Sequence, residues 1–224
     1  MTEGRRLGVL GGTFDPIHVG HLDAADEAQR ALGLTDVLFV PSSDPPHRPI
    51  DPRASAFHRF AMVALAIQRR DRWRVSDIEA SRAGPSYTVD TLRAIREGGW
   101  ERLQIFFILG ADAFAEIATW HEFPGVLDEA NFAVITRPGT TMEAALSKTP
   151  ELVGRVRTVR SGPDPRTMPL ESTGIFPVNA RTRAVSSTTI RVRLAAGLSI
   201  DDLVTPAVVR YIAANDLYVS PLSL

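Results

Sequence analysis

The sequence holds a pair of histidines, His18 and His21, at the end of GGTFDPIHVGH, which runs from Gly11 to His21. Gly11 and Gly12 carry no Cβ, so the backbone there can come close to a phosphate. Asp15 and Pro16 are suited to a tight turn. The histidines follow at or just before the start of a helical pattern, where unpaired amides and the helix dipole favour anions. Two imidazoles so placed can donate hydrogen bonds to phosphate oxygens without a permanent cation. A lone histidine would read as an ordinary turn residue; a pair at a strand-to-helix turn reads as a phosphate contact.

A second group is VSSTTIR, Val185 to Arg191, opening a helical run that reaches Ala196. Ser186, Ser187 and Thr188 bring hydroxyls beside helix-start amides, and Arg191 can meet an oxyanion with a two-pronged fork. Alone this would be a capped helix with a solvated arginine. With the first group it reads as a binding site for a triphosphate. The chain has neither GxGxxG nor GK[ST], which argues against a dehydrogenase-type dinucleotide site and a P-loop.

These residues need elements to hold them. RLGVLGG reads as a buried strand, followed by a helix from His21 to Leu32 that stops at Gly33. VLFVPSS is a second strand, FHRFAMVALAIQRR a helix and RVSDIE a third strand. SYTVDTLRAIREGG reads as a capped helix. LQIFFILG, the most apolar stretch, suits a strand covered on both faces. DAFAEIATW follows as a short helix and NFAVITR as another strand. The order predicts a doubly wound α/β fold on a parallel sheet, with ligands at the carboxyl ends of its strands.

From Pro138 to Thr173 the pattern weakens. TMEAALSKTPELVGRVRTVR reads as a helix broken at Pro150, and SGPDPRTMPLESTG as loop. A last strand, GIFPVN, precedes two helices, the second capped by Thr205, with Pro206 at its first position and Asn215 after its end. With no linker or repeat, residues 1–224 read as one domain whose C-terminal helical part begins at about residue 184.

Composition narrows the class. The chain has 224 residues, 44% of them hydrophobic and 23% charged, and a net charge of -1. There is thus no broad cationic surface for nucleic acid. Without cysteine, thiolate metal sites and cysteine nucleophiles are excluded. No apolar run nears the roughly 18 residues of a membrane span, so no membrane partner is expected and a cytoplasmic location is the expectation.

The paired motifs resemble those of the HxGH nucleotidyltransferase superfamily, which carries GGTFDP-x-HxGH near one end and SSTxIR near the other. Within it the chain looks like the bacterial nicotinate-nucleotide adenylyltransferases, through PPHR (Pro45 to Arg48), SYT (Ser86 to Thr88), GAD (Gly110 to Asp112) and Trp120 with His121. The likeness leaves out about Thr140 to Gly174, and Val185 stands where that family often has isoleucine.

The resemblance implies a Rossmann-like enzyme that joins AMP from ATP to nicotinate mononucleotide and releases pyrophosphate. It implies ATP contacts from Gly11, Gly12, Thr13, Phe14, His18, His21, Gly110, Asp112, Ser186, Ser187, Thr188 and Arg191, with His18, His21 and Arg191 catalytic. It implies acceptor contacts from His47, Arg48, Tyr87, Thr88, Trp120 and His121. Here His47 and Arg48 would hold the acceptor phosphate, and Trp120 would stack on the pyridine ring. Thr88 and His121 would offer backbone amides to its carboxylate. Gly110 and Asp112 end the central strand, where an aspartate can accept from ribose hydroxyls or cap a helix. His58, within a helical run, reads as a residue without chemistry.

Magnesium is expected as an ion bound through the ATP phosphates, since no dedicated carboxylate cage is visible. A pantetheine-phosphate adenylyltransferase would share both phosphate motifs but is typically shorter and lacks the SYT and Trp120 features. A class I aminoacyl-tRNA synthetase would need KMSKS. A non-catalytic nucleotide-binding protein of the same fold would keep the fold and lose the histidines.

Overall fold

The computed structural model describes residues 4–44, 52–136, 140–157 and 170–219. The elements run β1 (Leu7–Gly12), α1 (Val19–Leu32), β2 (Asp36–Pro41), α2 (Ala56–Ile67), β3 (Trp73–Val75), α3 (Thr88–Glu97), β4 (Ile105–Gly110) and α4 (Ala111–Phe114). They continue with β5 (Asn131–Thr136), α5 (Met142–Ala145), β6 (Ile175–Asn179), α6 (Ser187–Ala195) and α7 (Pro206–Ala214). All neighbouring strands pair parallel, in the order β3-β2-β1-β4-β5-β6. This Rossmann-like order reverses direction between β1 and β4, and folds of this kind bind ligands outside that crevice.

Strand alternation builds two cores. Leu7, Val9, Ile105, Phe107, Leu109, Phe132 and Val134 face one side, against α3, α4 and α5. Leu10, Phe106, Ile108, Ala133 and Ile135 face the other, against α1, α2, α6 and α7. Because side chains point to opposite faces with period two, the run IFFIL in β4 serves both cores at once. Along α1, Leu22, Ala25, Ala28 and Leu32 are buried, the stripe seen in the sequence. Gly33 closes that helix in the left-handed region, φ 62°, a conformation glycine adopts without Cβ strain.

Several boundaries differ from expectation. Helix α1 starts at Val19, two residues early, because His18 serves as its N-cap. The third strand covers Trp73–Val75 rather than Arg74–Glu79; beyond Ser76, whose N–H still reaches Phe39 O, the chain turns through Asp77–Ser81. The helix expected over Asp112–Trp120 divides into α4 and a 3₁₀ turn, Ile117–Thr119. Further on, α5 stops by Leu146, and Pro150 opens a separate 3₁₀ turn at its first position instead of breaking a helix. Proline suits that position, since its missing N–H would have no partner there. Thr205 and Asn215 flank α7 as expected, although the Thr205 side chain makes no capping bond. Among the described residues no helix is long and apolar enough to cross a membrane.

Candidate active site

The loop from β1 into α1 lies at the carboxyl edge of the sheet, next to the end of β4. Leu10 pairs with Ile108, so Gly12 and Gly110 end neighbouring strands at the reversal point. Phe14 turns the chain with φ 50°, and a cis peptide joins Asp15 to Pro16. His18 then caps α1, and its N–H donates to His21 Nδ1 at 3.2 Å. With Nδ1 accepting, the neutral His21 ring carries its proton on Nε2. The two imidazoles stack with centroids 3.7 Å apart, and Phe14 meets the His21 ring edge-on at 5.0 Å.

The second motif docks onto the first. Ser186 caps α6, its hydroxyl accepting from Thr189 N. Ser187 Oγ donates to Pro16 O at 2.9 Å. Arg191 Nη1 donates to Asp15 O at 2.7 Å, and Nη2 to Thr188 Oγ1 at 3.2 Å. Arg183 adds a two-pronged bond to the Asp23 carboxylate on α1, at 2.9 and 2.7 Å. A Cβ on Gly20 would stand 3.1 Å from Arg183 O, so glycine lets this strap lie against the start of α1. His18, His21, Ser187, Thr188 and Arg191 are thereby brought together, with the N-termini of α1 and α6 beside them.

Arg59 holds this arrangement from beneath and was not singled out in the sequence. It is 1% exposed, and its guanidinium donates to the carbonyls of Thr13 (2.8 Å), Ser42 (2.6 Å) and Ala54 (3.1 Å). Burial pulls the pKa of Arg59 below its usual value, while the nearby charge of Asp15 opposes the shift. The sequence signal was a charged residue on the same helical face as Met62 and Val63, where an arginine stays only if its donors find acceptors.

Of the other candidate residues, Tyr87, Thr88 and His121 meet at the start of α3. Tyr87 caps this helix and Thr88 is its first residue, so the Thr88 amide belongs to the helix-start donors that lack an intrahelical acceptor. The Tyr87 ring stacks on His121 with centroids 4.1 Å apart. Trp120 is half-buried and meets Phe107 edge-on at 6.0 Å, so part of its ring serves the core. After His121, Glu122 takes φ 58° and is gripped by the Arg93 fork at 2.9 and 2.6 Å. Gly110 is the N-cap of α4, and Asp112 sits exposed in the first turn rather than capping it. His47 and Arg48 lie outside the described residues. His58 is less idle than expected: its Nδ1 and the Tyr211 hydroxyl are 3.0 Å apart, joining α2 to α7.

Glu79 was also missed. It is 7% exposed, and its Oε1 accepts from Thr91 Oγ1 at 2.7 Å. Ser86, whose hydroxyl accepts from Ser43 N and Asp44 N, favours the charged carboxylate together with Thr91. Burial nevertheless raises the Glu79 pKa. A carboxyl whose folded pKa is raised makes the native state bind more protons than the unfolded chain. Its unfavourable contribution is therefore absent below the ordinary carboxylate range and grows as pH rises through the folded pKa. Glu79→Gln is expected to gain melting temperature relative to the parent between acid and neutral pH. Parallel melting curves across that range would contradict this account of the shift.

A cavity of about 1020 Å³ opens elsewhere, lined by Thr136, Met142, Leu146, Asn179 and Arg181 among others. None of the candidate site residues lines it, so the site rests on the meeting of the motifs and not on cavity size.

The fold and the paired phosphate-type loops define a nucleotidyltransferase: the cytidylyltransferase-like family model matches residues 9–193, and the chain belongs to that family. Two of its relatives carry the same activity in their names. A Trichlorobacter lovleyi protein called "Probable nicotinate-nucleotide adenylyltransferase" is 41% identical over 95% of this chain and 99% of its own. A Pseudomonas putida protein of the same name is 39% identical over 97% and 96%. At that identity over nearly full length, the chain is a member of the nicotinate-nucleotide adenylyltransferases. The fold is shared with the Plasmodium falciparum nicotinic acid mononucleotide adenylyltransferase complexed with NaAD, at a TM-score of 0.70 and 21% identity, covering 96% of this chain and 97% of that one.

Proposed function

We propose that this chain transfers AMP from ATP to nicotinate mononucleotide, giving nicotinate adenine dinucleotide and pyrophosphate in NAD biosynthesis. The observation that carries this reading is the interlock of the two motifs, with Ser187 bonded to Pro16 O and Arg191 to Asp15 O. That interlock brings two helix N-termini, two imidazoles and a guanidinium close together.

The acceptor phosphate attacks the α-phosphorus of ATP in line. A phosphate monoester with a second pKa of about 6 is already largely dianionic at neutral pH, so no general base is needed. The protein's work is positioning and charge stabilisation. His21 donates from Nε2, and His18 with it stabilises the α/β-phosphate region. The Ser187 and Thr188 amides and Arg191 hold the β/γ-phosphates, while Gly110 and Asp112 meet the ATP ribose. Tyr87, Thr88, Trp120 and His121 receive the pyridine end, and His47 with Arg48 the acceptor phosphate.

Among the described residues no group of three or more His, Asp or Glu side chains is arranged to hold a metal ion. Magnesium would be carried by the ATP phosphates, largely hydrated, and would neutralise charge on the triphosphate.

Pyrophosphate release with ATP and nicotinate mononucleotide, nicotinamide mononucleotide or phosphopantetheine in turn tests the assignment. Turnover of a mononucleotide is expected; activity with phosphopantetheine alone would transfer the assignment to that acceptor. Arg191→Lys keeps the charge and loses the fork, so it is expected to raise the ATP KM without restoring full activity. A rise in the acceptor KM alone would move Arg191 to the other half of the site.

A further inference from the structure

Tyr218 stands beyond α7, far from the first motif in the chain, yet its hydroxyl donates to Asp15 Oδ1 at 2.8 Å. The same carboxylate accepts the backbone N–H of Arg53 at 2.9 Å and of Ala54 at 3.1 Å. Asp15 is 5% exposed, so this is a buried acceptor with three donors drawn from two distant segments. The main chain of Asp15 makes a separate contact. Its carbonyl receives Arg191 Nη1 at 2.7 Å, and the same nitrogen stands 3.7 Å from Oδ2. One residue thus joins Tyr218 to Arg191.

The backbone around Tyr218 adds a second observation. Tyr218 has φ 66° and Asp216 φ 48°, in the left-handed region that side chains with a Cβ rarely occupy. Such a conformation persists where its surroundings over-determine it, and it clusters at functional sites. Here the determinants are the packing of the Tyr218 ring against the core shared by α2 and α7 and the hydroxyl bond to Asp15. Burial and the Asp15 charge push the phenol pKa upward, so the hydroxyl remains a donor.

We propose that Tyr218 is a positioning residue for nucleotidyl transfer: its hydroxyl fixes Asp15, and Asp15 in turn aims the Arg191 guanidinium at the triphosphate. This rests on the reading of Arg191 as an ATP contact. A Tyr218 that merely fastened its own segment to the core would contribute stability and leave the two substrates equally affected. A Tyr218 that acts through Asp15 separates them.

The test uses the full chain with Tyr218→Phe, Arg191→Ala and the double variant, measuring kcat, both KM values and melting temperature. Tyr218→Phe keeps the ring and is expected to raise the ATP KM about five- to tenfold, with the acceptor KM changed by less than about twofold. In the Arg191→Ala background the same change should add less than about twofold, because residues on one network are not additive. Tyr211→Phe deletes a hydroxyl that faces His58 rather than Asp15 and should leave both KM values alone. Additive effects of Tyr218→Phe and Arg191→Ala, or an equal rise in both KM values, would overturn the proposal.

If Arg191→Ala raised only the acceptor KM, the ATP reading of Arg191 would fall. Non-additivity with Tyr218→Phe would still show the link. Should Tyr218→Phe fold poorly, Asp15→Asn probes the link from its other end. It sets an amide NH₂ against either the Arg53 donor or the Ala54 and Tyr218 donors, and it too should be non-additive with Arg191→Ala.

Discussion

His21→Ala is expected to lower kcat by on the order of 10²-fold or more, the scale of losing an oxyanion donor. The ring is stacked on His18, with its Nδ1 committed to the His18 N–H, so Nε2–H is held toward one side and needs no reorganisation as charge develops. The deletion frees the amide of His18, a buried residue at the helix start, and losing one capping bond of this kind costs about 1 kcal/mol. Folding therefore survives while catalysis does not. His18→Ala should behave similarly, with an added loss of order at the N-cap. A well-folded His21→Ala protein with near-normal kcat would remove the pair from the mechanism.

The chemistry-bearing loops were legible because each is local. The phosphate-type loop is announced by a glycine pair, a turn and two histidines within one strand-to-helix connection, and the structure sets His18 and His21 at the helix start. Strands β1, β4 and β5 were legible from short apolar runs whose alternation serves two cores. What escaped the sequence is what depends on contacts across the chain. Arg59 reads locally as a stray charge in an apolar helix, and its four carbonyl partners come from two separate connections, Thr13 after β1 and Ser42, Ser43 and Ala54 between β2 and α2. Glu79 looked like the end of a strand, but its carboxylate turns inward to Thr91. Asp15 read as a turn residue, and only the folded chain brings Tyr218 and Arg191 to it. Boundaries failed for a related reason: α4 is a single turn packed on β4 and β5 and α5 a single turn packed on α4, contacts that helical periodicity does not announce.

Nicotinate mononucleotide is expected to show a higher kcat/KM than nicotinamide mononucleotide, by roughly tenfold to hundredfold. The two differ only in a carboxylate against a neutral amide on the same ring. Thr88 begins α3, where amide donors have no intrahelical acceptor and the dipole favours negative charge. On the proposed reading the His121 amide completes this pocket, which then offers donors only. A carboxylate accepts at both oxygens, whereas a carboxamide turns its NH₂ toward one donor and leaves it unpaired. An unsatisfied buried donor costs about 1–3 kcal/mol, which gives the stated discrimination. Trp120→Ala should weaken both acceptors alike, since a ring face does not read the substituent. It should also lower the melting temperature, because Trp120 packs on Phe107 and Phe132. Comparing kcat/KM for both acceptors in the parent and in Trp120→Ala separates the two roles: the ratio between acceptors should survive the loss of the ring. Equal efficiency with both acceptors in the parent would refute the donor-only pocket at Thr88 and His121 while leaving adenylyl transfer in place.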